Sequence, residues 1–260
     1  MKKARVFLIT THYMGVLYIE ELLRAGDEIV GVAAWPDTAG WYVPLEYDVR
    51  TKALQNYLPL CEPDPKKLNS EKFLNVIRGL KPDFIVSGYY PKLFGDERNY
   101  ITLHWLDAGA DSGDVIAQSS VEILPGDTGF TCGHRLTEEA AAAFRDNWPL
   151  IKAGKAPRAR QDESKASVFN IDWSIARIDW SKSALEVRNL VRSISKPLSG
   201  AWTTAGGKKM FVWKVQAVER GSEVHDTPLQ PGTVVSMDGV TFRPIDLLGG
   251  LAKTVRVVLG

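Results

Sequence analysis

His104-Trp105-Leu106-Asp107-Ala108-Gly109-Ala110-Asp111-Ser112-Gly113-Asp114-Val115-Ile116-Ala117-Gln118 is the stretch on which the reading of the fold turns. Three carboxylates, Asp107, Asp111 and Asp114, crowd around Gly109 and Gly113. β-forming runs, residues 100–106 and 115–123, flank them, so the stretch reads as an acidic turn between two strands. A calcium loop of the EF-hand type does not fit. Counting from Asp107, Gly109 takes the third position and Gln118 stands where a closing Glu belongs. The spacing alone leaves a glycosidase-type carboxylate pair open.

Upstream, residues 5–10 form a short apolar run of β-formers. Residues 13–24 carry Val16, Leu17, Ile19, Leu22 and Leu23 at helical spacing, with Gly26 as a stop. Residues 28–34 read as a second buried strand. This β-α-β opening predicts a parallel sheet with a right-handed crossover. Residues 36–48, with Pro36, Gly40 and Pro44, read as a long loop in which Trp41 stands out, with Trp35 just before it. Residues 51–57 suggest a helix and 61–65 a turn-rich break. Residues 70–80 place Phe73, Leu74, Ile77 and Leu80 on one helical face, and Pro82 ends that helix. Residues 83–87 are a further strand. At its carboxyl end, where open α/β sheets bind ligands, Gly88 permits close backbone approach and Tyr89 and Tyr90 can wall an aromatic ring. Residues 137–151 predict a helix capped by Thr137, with Glu138 and Glu139 suited to its first turn.

The chain of 260 residues is 45% hydrophobic and 24% charged, enough to bury a core without staples. Its net charge of +1 gives no global argument for nucleic acid or an anionic membrane. Cys61 and Cys132 lack metal-type spacing and suit a reducing cytosol, so a cytoplasmic location is expected and no metal site is. No apolar run reaches bilayer length. His134 and His225 have no partners at ligand spacing, and His12 reads as a loop histidine. Residues 152–160 form a basic stretch that reads as a solvated linker. The expected organisation is therefore a first domain over 1–153, a linker over 154–167 and a second domain over 168–260. In the second domain, a helix over 183–193 precedes short strands at 201–204, 209–218, 232–236, 240–244 and 254–259, which suggests a small β-barrel.

Lys81-Pro82-Asp83 followed by Ser87-Gly88-Tyr89-Tyr90 resembles the central strand of the 10-formyltetrahydrofolate-dependent formyltransferases. Thr102-Leu103-His104-Trp105, then Asp111-Ser112-Gly113-Asp114-Val115-Ile116 and Gln118, is similar to that family's later signature. Ile178-Asp179-Trp180, residues 191–197 and Gly200-Ala201-Trp202 resemble the domain attached to methionyl-tRNA formyltransferases. The resemblance implies an α/β fold: a Rossmann-like formyltransferase domain with a smaller C-terminal OB-like β-barrel. It implies formyl transfer from 10-formyltetrahydrofolate to a primary amine, with Asp111 as the catalytic aspartate. Gly88, Tyr89, Tyr90, Pro91, Leu93, Leu106, Asp107 and Ala110 are the expected folate-binding positions. His104 matches a second family histidine outside the catalytic set.

The family's Asn-x-His pair is absent. Only nine residues, 91–99, separate Tyr90 from Tyr100, where that segment belongs. Two explanations stay open: a segment is missing from the sequence, or the chain truly lacks it and is inactive or uses other groups. The expected acceptor is an amino sugar carried on a nucleotide, because no basic tRNA-inserting loop is evident in residues 36–50. Methionyl-tRNA formyltransferase, with tRNA as partner, is one alternative. A non-catalytic folate-binding relative is another.

Overall fold

Complete burial sets the first sheet. In the computed structural model, strand β1 (Arg5–Thr10) carries Val6, Phe7 and Leu8 with no exposed surface. Fully burying such a side chain contributes about 1.5–3 kcal/mol. The structure describes residues 3–34, 47–64, 70–88, 98–109, 111–162, 164, 166, 173–196, 198–218, 234–236, 241–242 and 254–258. The chain forms two compact units: Met1–Ile123 with Gly133–Ala166, and Leu124–Cys132 with Ser167–Gly260.

In the first unit, helix α1 (His12–Arg24) follows β1 and leads to β2 (Glu28–Ala33). Helix α2 (Val49–Gln55) precedes β3 (Leu60–Cys61), a two-residue strand where the sequence suggested only a turn-rich break. So short a strand carries too little pattern to be read from sequence. Helix α3 (Glu71–Leu80) is capped by the Ser70 hydroxyl, which accepts from the Phe73 amide. Lys81 ends it in the left-handed conformation, φ 47°, a position that side chains other than glycine seldom take. The Arg5 guanidinium donates to the Leu80 and Lys81 carbonyls and so covers this helix end.

Strand β4 (Phe84–Gly88) completes a sheet of order β3-β2-β1-β4, with β1 parallel to both neighbours. The connection from β1 runs one way to β2, while β4 joins on the other side. The carboxyl ends of β1 and β4 therefore form a topological switch point, the usual crevice for ligands in open α/β sheets. There the Thr10 hydroxyl donates to the Gly88 carbonyl at 2.7 Å.

Strands β5 (Arg98–His104) and β6 (Val115–Glu122) pair antiparallel as a hairpin of their own, with an irregularity between Leu103 and His104. Ile116 is buried in the main core, and Ile101, Leu103, Trp105 and Ala117 pack against it. Helix α4 (Gly129–Lys152) starts well before Thr137, the residue expected to cap it. Thr137 is instead buried inside the helix, its hydroxyl donating to the Gly133 carbonyl at 2.8 Å. The cap is Thr128, whose hydroxyl accepts from the Thr131 amide and whose carbonyl accepts from the Cys132 amide.

Asp27 fixes the other end of α4 to the sheet. Its buried carboxylate accepts from the Ala4 amide, the Trp148 indole at 2.6 Å and the Lys152 ammonium at 2.8 Å. Burial pushes this carboxyl up, but the Lys152, Ala4 and Trp148 donors outweigh it and hold it below the ordinary carboxylate range. Lys152 is thus a buried ion-pair partner rather than part of a solvated basic linker. Residues 154–162 also pack on this unit. Ala159 bridges Val115, and the Pro157 carbonyl accepts from the Trp105 indole at 3.1 Å.

In the second unit a 3₁₀ turn, Trp173–Ala176, precedes helix α5 (Ala184–Ser193), which is started by a full capping box between Ser183 and Glu186. Arg192 donates to the carbonyls of Leu124 and Asp127, and Arg188 to that of Pro125, which draws residues 124–132 into the unit. Val187, Val191, Ile194, Ala201 and Val212 form its core. Strands β7 (Ala201–Ala205) and β8 (Lys208–Val212) form a hairpin. Strand β9 (Lys214–Val218) joins β10 (Val234–Ser236), β11 (Thr241–Phe242) and β12 (Thr254–Val258) in an antiparallel sheet of order β10-β11-β12-β9. Among the described residues, no strand pairing joins this hairpin and sheet into a closed barrel. No helix among them is long and apolar enough to cross a membrane.

Candidate functional site

The acidic turn between β5 and β6 is built by hydrogen bonds, not by burial. The Trp105 amide donates to the Asp114 carbonyl at 2.9 Å and closes its base. Asp107 then organises the near side. Its Oδ1 accepts from the Gly109 amide at 2.9 Å and from the Ser112 hydroxyl at 2.8 Å. The Ser112 hydroxyl, and after it the Gly109 amide, hold the Asp107 carboxyl below the ordinary range.

Two glycines are required by space. A Cβ on Gly113 would lie 1.7 Å from the Trp105 carbonyl oxygen, and one on Gly109 would lie 2.0 Å from Ser112 Oγ. Between them Asp111 takes φ 56°, the left-handed region that Asp enters more readily than most residues. The Gln161 amide reaches across and donates to the carbonyls of Asp111 and Gly113, each at 2.7 Å. Arg158 adds a second brace. Its guanidinium lies 4.2 Å above the Trp105 ring and 3.7 Å from the Asp114 carboxylate.

This scaffold presents Asp111 to solvent, its side chain 98% exposed, with one neighbour of chemical interest. His104 Nε2 stands 3.7 Å from Asp111 Oδ1. The other ring nitrogen, Nδ1, lies 2.8 Å from the Trp105 carbonyl oxygen. A carbonyl can only accept, so Nδ1 carries a proton, and in a neutral ring Nε2 is then the open, basic position. The arrangement is an imidazole with a fixed tautomer beside a carboxylate, the elements of a proton-accepting pair.

The expected site residues fall into three groups. Leu106, Asp107 and Asp111 share this turn, and Leu106 offers an apolar side chain 61% exposed. Gly88 sits at the switch point, but the place of its missing side chain is filled from α1: a Cβ there would meet the Tyr18 ring at 2.5 Å. Its lack of a side chain thus serves packing beneath the sheet. Tyr89, Tyr90, Pro91, Leu93 and Ala110 lie outside the described residues, as do Trp35, Trp41 and His225. The roles of Ser112, Arg158 and Gln161 are not among the sequence expectations. Ser112 lies close enough to Asp107 in the chain to have been found. Gln161 is about fifty positions from its partners and carries no local signal.

A second cluster joins α1 and α4. His134 stacks on Tyr13 at 4.5 Å, and its Nε2 lies 3.1 Å from the Tyr47 hydroxyl, with Glu138 3.5 Å from Nδ1. His134 therefore has partners, though not metal-binding ones. Among the described residues, no group of three His, Cys, Asp or Glu side chains could hold a metal ion.

Comparison with known proteins places this architecture. Residues 170–242 match the family model of the formyl transferase C-terminal domain. The fold is similar to that of an N-formyltransferase from Helicobacter canadensis solved with folinic acid and dTDP-3-aminofucose. The TM-score is 0.67 at 14% identity, over 97% of this chain and 98% of that one. It is also similar to a sugar 3N-formyl transferase, WlaRD, solved with dTDP and 5-N-formyl-THF: TM-score 0.66, 12% identity, 99% of each chain. A methionyl-tRNA formyltransferase from Clostridium thermocellum gives TM-score 0.52 at 10% identity, over 99% of this chain and 100% of that one. At such identities the structural likeness is one of fold, and the fold is the formyltransferase α/β fold with its parallel central sheet.

Proposed function

We propose that this chain, a relative of the formyltransferases, transfers a formyl group from 10-formyltetrahydrofolate to the primary amine of a nucleotide-linked sugar. The observation that carries the proposal is the His104–Asp111 pair on a turn whose Asp-Ser-Gly-Asp signature resembles the formyltransferase motif. Two solved proteins of similar fold hold a folate together with dTDP or a dTDP-amino sugar, which supports the donor and the acceptor class. The match of residues 170–242 supports an OB-like form for the second unit. Neither Cys61 nor Cys132 forms a disulfide, which supports a cytoplasmic setting.

The chemistry needs three things from the protein. The folate must be held with its formyl group exposed to the amine. Gly88, Tyr89, Tyr90, Pro91, Leu93, Leu106, Asp107 and Ala110 are the residues we assign to that task. The amine nitrogen must then lose a proton as its bond to the formyl carbon forms. His104 Nε2 accepts it, with Nδ1 held by the Trp105 carbonyl. Asp111 balances the imidazolium charge that results and steadies the ring. The bond from the formyl carbon to the donor nitrogen breaks, and the proton returns to that nitrogen. In this reading His104 takes over part of the work that an Asn-x-His segment does in the family.

The test is turnover by the intact chain, with 10-formyltetrahydrofolate and a panel of dTDP-linked amino sugars, followed by mass spectrometry of the sugar. Formylation of one of them is expected, and Asp111→Asn should reduce the rate roughly 100-fold or more, the scale of losing a charge-balancing group at such a site. An unchanged rate in that variant would remove Asp111 from the mechanism. Formylation only of charged initiator tRNA would instead favour the methionyl-tRNA reading. Folate binding without turnover on any amine would leave a non-catalytic relative.

A further inference from the structure

Charge is spread unevenly along this chain. Residues 173–218 hold eight Lys and Arg against two acids, Asp179 and Glu186, although the whole chain is only +1. Three of the eight are occupied. Arg188 and Arg192 donate to backbone carbonyls of the segment before α4, and Lys182 faces Glu186 at 3.8 Å. Arg177, Lys196, Lys208, Lys209 and Lys214 are exposed.

Three of these five, Arg177, Lys196 and Lys209, lie against rings at one face of the β7–β8 hairpin. Trp202 pairs with Phe211 across the strands and Thr204 with Lys209, so these four side chains share the outer face. Ala201 and Val212 point the other way into the core, against which the half-buried Trp202 also packs. On the outer face rings and cations alternate. Arg177 stands 5.7 Å from the Trp202 ring, and Lys209 Nζ lies 4.4 Å from Trp202 and 4.9 Å from Phe211. Phe211 stacks on Trp213 with the planes 20° apart, and Lys196 Nζ lies 5.1 Å from Trp213. Lys208 pairs with Ala205 and so has the parity of Val212, not of these rings. Asp179, the acid nearest Arg177 in sequence, already accepts from the amide and hydroxyl of Ser181.

Phe211 is 42% exposed, which is unusual for an aromatic ring in a strand that also feeds a core. A ring kept at the surface among several cations is poorly explained by packing. Gly200 sharpens the point. It takes φ 80°, and a Cβ there would meet the Trp213 ring at 2.7 Å, so the backbone gives way to seat this tryptophan beside Phe211. Three rings in sequence with interleaved cations match the chemistry of a single-stranded polynucleotide. Bases stack on rings whatever their identity, and phosphates meet the cations between them. A lone nucleotide would use one ring and leave the rest of the ladder idle.

We infer that the outer face of the β7–β8 hairpin, built on Trp202, Phe211, Trp213, Arg177, Lys196 and Lys209, binds single-stranded nucleic acid. This goes beyond the enzymatic reading and does not depend on it, since binding is measured without donor or acceptor. The probe is a fluorescein-labelled twelve-nucleotide oligo-U RNA titrated with the full chain and followed by anisotropy. Binding should weaken about 20-fold between 50 and 200 mM salt, the expectation for about three neutralised phosphates on a single strand. Phe211→Ser should weaken it roughly 5- to 100-fold, and Lys209→Glu by a similar factor with a shallower salt dependence. Both residues are exposed, so unfolding midpoints should match that of the parent chain and show that the fold is kept. A twelve-base-pair RNA duplex should bind less tightly than the single strand, because its bases are already stacked. No binding to oligo-U overturns the inference. So does equal binding to the duplex, or oligo-U affinity unchanged by Phe211→Ser.

Discussion

The parallel sheet and the acidic turn of the first unit are stabilised in opposite ways. Around β1 the side chains hold the backbone: Val6, Phe7, Leu8, Ile19, Leu22 and Val32 have no exposed surface, and polar groups enter only with their partners, as at Asp27. In the turn between β5 and β6 the backbone holds the side chains. Its order comes from two absent Cβ atoms, a carboxylate folded back on Gly109 and Ser112, and the Gln161 amide. The first arrangement resists local change because every atom has neighbours. The second can display an exposed Asp111 because almost none of its stability rests on hiding side chains. A scaffold and a site need these different solutions.

The contrast is sharpest where burial is removed outright. Phe144 is 1% exposed and packs on Tyr18 and Trp148. Phe144→Ala should cost about 3–5 kcal/mol in chemical unfolding, through lost transfer energy and the cavity left behind. A cost below about 1 kcal/mol would mean that the core is not the support described.

Asp27→Asn should cost about 3–5 kcal/mol, because it leaves the Lys152 ammonium buried without its counter-charge. The same carboxylate makes stability depend on pH. Its folded value lies below its unfolded one, near 4, so its contribution is complete above that unfolded value. It is lost as pH falls through the folded value. Acid titration of the unfolding midpoint should therefore be flatter in Asp27→Asn than in the parent chain.

In the turn the penalty should be steric and local. Gly113→Ala forces a methyl group against the Trp105 carbonyl, which cannot withdraw without opening the Trp105–Asp114 pairing. A loss of about 1–3 kcal/mol is expected, the range for forced overpacking. Amide exchange should quicken at Trp105 and not in β1. Protection lost equally in both would show that the turn and the sheet are one cooperative piece.

Asp107→Ala should have the smallest effect. The Gly109 amide should exchange faster while the midpoint of global unfolding stays in place, because this carboxylate is at the surface. Lowering pH should have the same local effect in the parent chain. The folded value of Asp107 is depressed, so its hold on the turn is present above the unfolded value and fades as pH falls through the folded one.

Legibility in the sequence followed the same divide. Helical spacing at Val16, Ile19 and Leu22 and the apolar runs at 5–10 and 28–34 place β1, α1 and β2 within a residue or two. The start of α4 was misplaced because Thr137 followed by two glutamates has the chemistry of a cap. Tertiary burial let the helix continue through it, and the cap moved back to Thr128. The basic stretch from Lys152 read as solvated because nothing local reveals that Asp27 waits for an ammonium 125 positions away.

By itself, the sequence determined the periodic elements of the parallel sheet, the hairpin around the acidic turn, and the glycine and aspartate chemistry of that turn. These depend on near neighbours, whose spacing is fixed by the chain. Only the tertiary structure decided that His104 meets Asp111, that Gln161 and Arg158 brace them, and that Gly88 makes room for Tyr18. Such contacts join residues that are far apart in sequence or turned toward each other by a bulge. Their energies appear only when packing brings the groups together, so no local pattern records them.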